Sequence, residues 1–296
     1  MSRFINQFFT KKDQNKRDHL HDTHDSSMEG SPSMTDSSSI TRYQTAACQS
    51  TGRERRNNED TIFVQTSMLG VLDNIINTGV FLVADGMGGH QNGEVASQLA
   101  AKAASQYLLN AIFSASLEEK DDFFEVDFRK LVRVAVEEAQ SLVLKHVPGG
   151  GTTLTLVFAF DDDLYSAHVG DSRIYLVRSD GKMMLKTRDH SLVKRLVDLG
   201  EITESEAAIH PQRHVLYRAL GQSDPFEPDI DQFTLEKGDR LLICSDGLWS
   251  VLSQDQMMDI FRNEPDLDHL ACELVQAANA GGGPDNISVV LVERKQ

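Results

Sequence analysis

The stretch Val80-Phe81-Leu82-Val83-Ala84-Asp85-Gly86-Met87-Gly88-Gly89-His90 decides how this chain is read. Five apolar residues run into an Asp-Gly pair, and a glycine cluster follows before a helical pattern begins. A short apolar run bounded by turn residues predicts a buried strand. Its end sets a carboxylate at the margin of a core, on backbone loose enough to bend around a ligand. Asp-Gly after a strand is by itself an ordinary turn signal. Here the pattern recurs. Leu241-Leu242-Ile243-Cys244-Ser245-Asp246-Gly247 is a second apolar strand ending in Asp-Gly, and Asp285, in Pro284-Asp285-Asn286, opens a last strand from Ile287 to Val292. Three carboxylates at strand ends, far apart along the chain, predict one cluster of oxygen ligands assembled by the fold.

Around these strands the pattern is that of an α+β domain. Tyr43 to Cys48 and Thr61 to Thr66 alternate as strands, with Arg53 to Asp60 between them. Val95, Leu99, Ala103 and Tyr107 recur at helical spacing, as do Leu131, Val134, Ala135, Leu142 and Val143, which predicts two amphipathic helices covering one face of a sheet. A meander follows: Thr153 to Phe160, Leu164 to Val169, Arg173 to Val177 and Met183 to Lys186. Its links are too short for parallel crossovers, so the pairing is expected to be antiparallel. From Thr187 to Glu227 the chain is polar and irregular, long for a plain connection, with a short helix from Leu192 to Leu199. Strands at Ile230 to Leu235 and Arg240 to Cys244, two more helices, and the closing strand complete two antiparallel sheets flanked by helix pairs.

Length and composition bound the rest. A chain of 296 residues with 40% hydrophobic content buries one large core. Its formal charge of −16 argues against nucleic acid as a partner, since nothing basic enough to neutralise phosphates is present. Cys48, Cys244 and Cys272 are odd in number and lack paired spacing, which predicts reduced thiols in a cytoplasmic protein. No apolar run reaches membrane-span length. Residues 1–40, with a Ser-rich stretch near their end, read as a disordered tail ahead of a domain from 41 to 296.

The chemistry resides in the acids. The expected ligand set is Asp85, Asp246 and Asp285, with the Gly86 carbonyl and Glu59 or Asp60 assisting. All these donors are oxygen, which favours Mg²⁺ or Mn²⁺ over Zn²⁺. So many carboxylates around one ion leave excess charge, so two adjacent cations are expected; such a pair can hold a hydroxide in line with a phosphorus atom. Arg55, four residues before Glu59, is placed to grip phosphoryl oxygens, against the plainer reading of a surface ion pair. The plainer reading of the three aspartates is turn or capping residues.

Taken together, Arg55-Arg56-Asn57-Asn58-Glu59-Asp60, Asp85-Gly86-Met87-Gly88-Gly89-His90, Gly151-Thr152-Thr153, Val169-Gly170-Asp171-Ser172-Arg173, Ser245-Asp246-Gly247-Leu248-Trp249 and Asp285-Asn286 resemble the metal-dependent PP2C (PPM) protein serine/threonine phosphatases, in their bacterial form. The resemblance runs from about Thr41 to Glu293 and implies a four-layer α-β-β-α sandwich. It implies that Asp85 bridges two metals, that the Gly86 carbonyl ligates one and Asp246 and Asp285 the other, and that Glu59 or Asp60 acts on the metal shell. Arg55 is then the phosphate-holding residue, Asp171 the ligand of a weaker third metal, and residues 187–227 a flap at the substrate cleft. The implied partners are phosphorylated proteins and a Hanks-type serine/threonine kinase, with the phosphatase a monomer.

Two departures from the family pattern stand out. Many members carry His directly after the first Asp-Gly pair, where this chain has Met87, so the general acid is unassigned, with His90 nearby. Many carry an acid where Ser250 stands, which weakens the expected third metal site. The leading expectation is hydrolysis of phosphoserine and phosphothreonine by a metal-bridging hydroxide. The alternatives are a non-catalytic phospho-binding scaffold and a two-metal hydrolase of small phosphate esters.

Overall fold

The computed structural model of the chain describes residues 42–71, 74–88, 92–117, 126–222 and 226–295. The expected tail at 1–40 and His90 lie outside the described residues. Two antiparallel sheets pack face to face. The first runs β2 (Asp60–Val71), β3 (Asn74–Met87), β5 (Leu154–Phe160), β6 (Asp163–Val169) and β9 (Asp229–Thr234), with the short β4 (Gly151–Thr152) beside the end of β3. The second runs β1 (Tyr43–Ser50), β11 (Ile287–Arg294), β10 (Arg240–Cys244), β7 (Arg173–Val177) and β8 (Met183–Leu185). Helices α1 (Asn92–Leu117) and α2 (Phe128–His146) cover the first sheet, and α6 (Gln254–Asn263) and α7 (Leu267–Ala280) the second. This is the four-layer α-β-β-α arrangement.

The layers explain why the key strands are apolar without alternation. A strand in the middle of four layers is buried on both faces. In β3, Val80, Leu82 and Ala84 face the α1/α2 core while Phe81 and Val83 face the opposite sheet. In β10, Leu242 and Cys244 meet α6 and α7, and Leu241 and Ile243 the inter-sheet core. In β11 the same division separates Val289 and Leu291 from Val290 and Val292. Enclosing each large side chain of this kind stabilises the fold by ~1.5–3 kcal/mol. Along α1 the buried stripe is Ala96, Ala100 and Ala104, small residues that let the helix lie close to the sheet, continued by Leu108, whereas Val95 is exposed. The stripe is thus one position away from the spacing expected through Val95. Side chains at helix starts supply missing hydrogen bonds: Asp127 accepts from Lys130 N, and Ser253 and Gln256 form a capping box.

One expectation is corrected. The meander is not a single antiparallel run, because β6 pairs with β5 and β9 while β7 pairs with β10 and β8. The link Gly170-Asp171-Ser172 therefore crosses from one sheet to the other. Link length excluded a parallel crossover, but it does not distinguish a hairpin from a step between layers. That step carries Asp171 to the ends of both sheets.

Candidate active site

Both Asp-Gly pairs are dictated by close backbone passage rather than by a turn alone. A Cβ on Gly86 would lie 2.2 Å from the Gly93 carbonyl oxygen and 2.7 Å from that of Glu59. One on Gly247 would lie 2.0 Å from the Asn286 carbonyl oxygen. The backbone at Asp85 is held on both sides: its N–H donates to Thr153 Oγ1 at 2.9 Å, and its carbonyl accepts from Thr153 N at 2.8 Å and Thr152 Oγ1 at 2.9 Å. This gives the Gly151-Thr152-Thr153 motif its role, which is to fix the direction of Asp85. Asp246 opens the single turn α5 (Asp246–Trp249) directly after β10.

Asn286 ties the far ends of the chain together. Its Oδ1 accepts from Glu59 N at 2.8 Å, and its Nδ2 donates to Thr51 O and Asn57 O, each at 2.9 Å. The loop bearing Arg55 and Glu59 is thereby fastened to the residue next to Asp285. In consequence Arg55, Glu59, Asp85, Gly86, Asp171, Asp246 and Asp285 line a single cleft of about 360 Å³. Asp60 does not line it. It lies opposite Asp85 across β2 and β3, and its Oδ2 accepts from Ser245 Oγ at 2.8 Å and Ser288 Oγ at 2.6 Å. Of the two alternatives, Glu59 lines the cleft, while Asp60 is held by the Ser245 and Ser288 hydroxyls.

The acids repel one another. Asp85 and Asp246 open partly onto the cleft, yet burial, followed by neighbouring carboxylates, lifts both carboxyls well above their usual range. Asp60 is pushed up to about 6 and Asp171 to about 7, in each case by burial first. Glu59 is raised by burial, with Asp285 adding and Arg55 opposing. Asp60 Oδ1 and Asp246 Oδ1 are buried without a hydrogen-bond partner. Buried carboxylate oxygens without partners are costly, and a hard divalent cation satisfies such oxygens. The residues therefore fit Mg²⁺ or Mn²⁺. Among the described residues no three acids, imidazoles or thiols already close around one point; Asp60 is turned to the two hydroxyls and Asp285 to an arginine.

That arginine is Arg55, whose Nη2 lies 2.7 Å from Asp285 Oδ2. The expected phosphate-holding residue is thus at the cleft rim, engaged by one of the expected ligands. Sequence reasoning missed His214, which sits on the cleft beside Leu216 and near Arg55 and Asp285. Burial, then Arg213, pushes its ring below the usual imidazole range. His214 lies in the irregular flap, where no periodicity indicates direction. A larger cavity of about 650 Å³ adjoins, sharing Asp171, His214 and Asp246 and walled by Ser250, Trp249 and the flap helices α3 (Leu192–Asp198) and α4 (Glu204–Ala208). Cys244 is a buried thiol pushed up to about 12, and His168 a buried ring pushed down to about 3, in each case by burial first.

A family model described as Protein phosphatase 2C matches residues 43–287. A putative protein phosphatase 2C-type of Streptococcus pyogenes serotype M6 is 38% identical over 244 residues, 82% of this chain and 94% of that protein. Serine/threonine phosphatase stp of Listeria monocytogenes serovar 1/2a is 36% identical over 243 residues, 82% of this chain and 92% of the relative. The crystal structure of the Mycobacterium tuberculosis serine/threonine phosphatase PstP/Ppp superposes with a TM-score of 0.71 at 35% identity, covering 86% of this chain and 99% of that one. The PstP catalytic domain in complex with two manganese ions gives 0.69 at 33% identity, again covering 86% of this chain and 99% of that one.

Proposed function

The chain belongs to the protein phosphatase 2C family and is a metal-dependent protein serine/threonine phosphatase, and on that premise we propose which of its residues do the work. Asp85, Asp246 and Asp285, with the Gly86 carbonyl and Glu59, hold two Mn²⁺ or Mg²⁺ ions, and Asp171 serves a weaker third. Bound there, such ions lower the pKa of water and draw charge from a phosphoryl group. The chain's own contribution is positioning. Arg55 meets Asp285 through Nη2, and its remaining N–H groups, which have no protein partner among the described residues, take phosphoryl oxygens. Asp60, fixed by two hydroxyls, presents Oδ1 to orient a water.

The observation that carries this reading is the buried, unpartnered Asp246 Oδ1 in a cleft shared with Asp85, Asp285 and the Arg55 guanidinium. A protein serine/threonine kinase of Hanks type belongs to the reading as the source of the substrates, since phosphoserine and phosphothreonine esters are made by protein kinases. The reading includes a monomer at work in the cytoplasm, supported there by three free cysteines. It also includes a domain spanning 41–296 with a flap at about 187–227, supported by the two packed sheets and their flanking helices. The test is phosphate release from phosphoserine and phosphothreonine peptides with Mn²⁺, with EDTA, and in Asp246→Asn. Release that survives EDTA or the substitution overturns the proposal. Phosphopeptide binding without turnover would favour a scaffold on the same fold.

A further inference from the structure

His190 lies at the root of the flap and is 1% exposed. It holds a single residue, Gly170, at two points. The His190 backbone N–H donates to Gly170 O at 2.7 Å, and the Gly170 N–H donates to His190 Nδ1 at 3.2 Å. Only glycine fits there, since the residue adopts φ +113 and a Cβ would meet Thr153 Cγ2 at 2.5 Å. The next residue is Asp171, whose carbonyl accepts from Trp249 Nε1 at 2.9 Å. Two residues on, Arg173 is gripped by Asp189, with Nε–Oδ1 at 3.0 Å and Nη2–Oδ2 at 2.7 Å. The step between sheets is thus pinned from the flap root on one side and from α5 on the other.

The ring's orientation follows from the contacts. Nδ1 accepts, so the ring proton sits on Nε2. Nε2 lies 3.1 Å from Asp229 Oδ2, near enough for charge to act, though not aligned as a hydrogen bond. Asp229 is held below the usual carboxyl range, first by His190, and its Oδ1 also receives Arg218 Nη1 at 3.2 Å. One imidazole therefore joins the Asp171 loop, the flap root and the first residue of β9.

We propose that His190, oriented by Asp229, is a positioning residue that aims the Asp171 carboxylate into the cleft by holding the Gly170 peptide. It touches neither substrate nor reacting atoms. A filler role is the competing account, because the ring also packs 5.0 Å from His168 and 5.7 Å from Tyr217, measured between ring centres. The two accounts differ in what they require. Filling needs only a side chain of suitable size, whereas aiming needs an acceptor where Nδ1 stands.

Asparagine places an amide oxygen near the Nδ1 position and glutamine places its amide near Nε2, so the two variants separate the accounts. The experiment compares His190→Asn, His190→Gln and Asp229→Ala in the full chain. It reads hydrogen exchange at the Gly170 amide, Mn²⁺ binding by calorimetry, and kcat and KM on a phosphothreonine peptide. Expected are near wild-type exchange protection and kcat in His190→Asn. In His190→Gln, exchange should be faster and kcat lower by ~10-fold or more, because small misplacements of working groups are costly. Asp229→Ala should fall between them. Equal behaviour of the Asn and Gln variants, in either direction, overturns the proposal. If His190→Gln does not fold, unchanged exchange at Gly170 in Asp229→Ala overturns the part given to Asp229, and exposed Gly170 in His190→Asn overturns the whole. The inference rests on the phosphatase reading of the cleft, but exchange at Gly170 is read without turnover. An inactive wild-type chain sinks that reading and leaves the clamp separately testable.

Discussion

Arg55 is a cation placed among anions, and its contact with Asp285 makes it a competitor as well as a helper. Replacing it with Ala is expected to lower kcat/KM on phosphopeptides by ~100-fold, in the range lost with other charge-stabilising donors. The same variant should bind Mn²⁺ at least as tightly as the wild type without substrate, because Asp285 is released. Steady-state kinetics and calorimetry check the two halves, and weaker metal binding in the variant would contradict the competition. Asp246→Asn should behave differently, with Mn²⁺ affinity falling along with activity, since the buried Oδ1 loses its charge. At this scale Asp85, Asp246 and Asp285 were legible because each ends or opens an apolar run. The Arg55–Asp285 contact and the place of His214 were not, since both depend on loops whose direction has no sequence period.

Among the elements, β3, β10 and the start of β11 bring acids to one edge, and that crowding has a measurable sign. Folded and free of metal, Asp60 ionises at about 6 and Asp171 at about 7, whereas an unfolded aspartate ionises near ~3.9. Between those values the folded chain binds more protons than the unfolded one, so its stability falls as pH rises from ~4 to ~7. The melting temperature of EDTA-treated protein should therefore drop across that window, and Mn²⁺ should raise it more at pH 7.5 than at pH 5. Thermal scans with and without metal decide the matter; a metal-free melting temperature that climbs with pH runs against it. Packing yields a second outcome at this scale. Leu82, fully buried between β3 and the helices, should cost ~2–5 kcal/mol when cut to Ala, as measured by denaturant unfolding. Strand positions were readable because burial on both faces leaves continuous apolar runs. The crossing at Gly170 was not, because a three-residue link reads alike whether it turns back or changes layer.

For the molecule as a whole, the layers were legible from the order of periodic segments, while the cleft was only implied by it. Where two sheets end relative to each other depends on twist and packing, which no single segment encodes. The described core begins at Tyr43, so a chain starting at Thr41 is expected to fold and to release phosphate at the wild-type rate. Comparing melting temperature and kcat with the full chain checks this, and a truncated protein that is soluble but inactive would return the tail to the enzyme.

The pairing of β1 with β11 also has a consequence for birth on the ribosome. The opening strand waits, edge bare, until residues near 290 have been made, and Asn286 and Asp285 arrive in that same late portion. Nascent chains should thus be silent towards phosphoproteins until synthesis passes the final strand. Contacts of such long sequence separation slow the search for the native state, which leaves the interval open to chaperones.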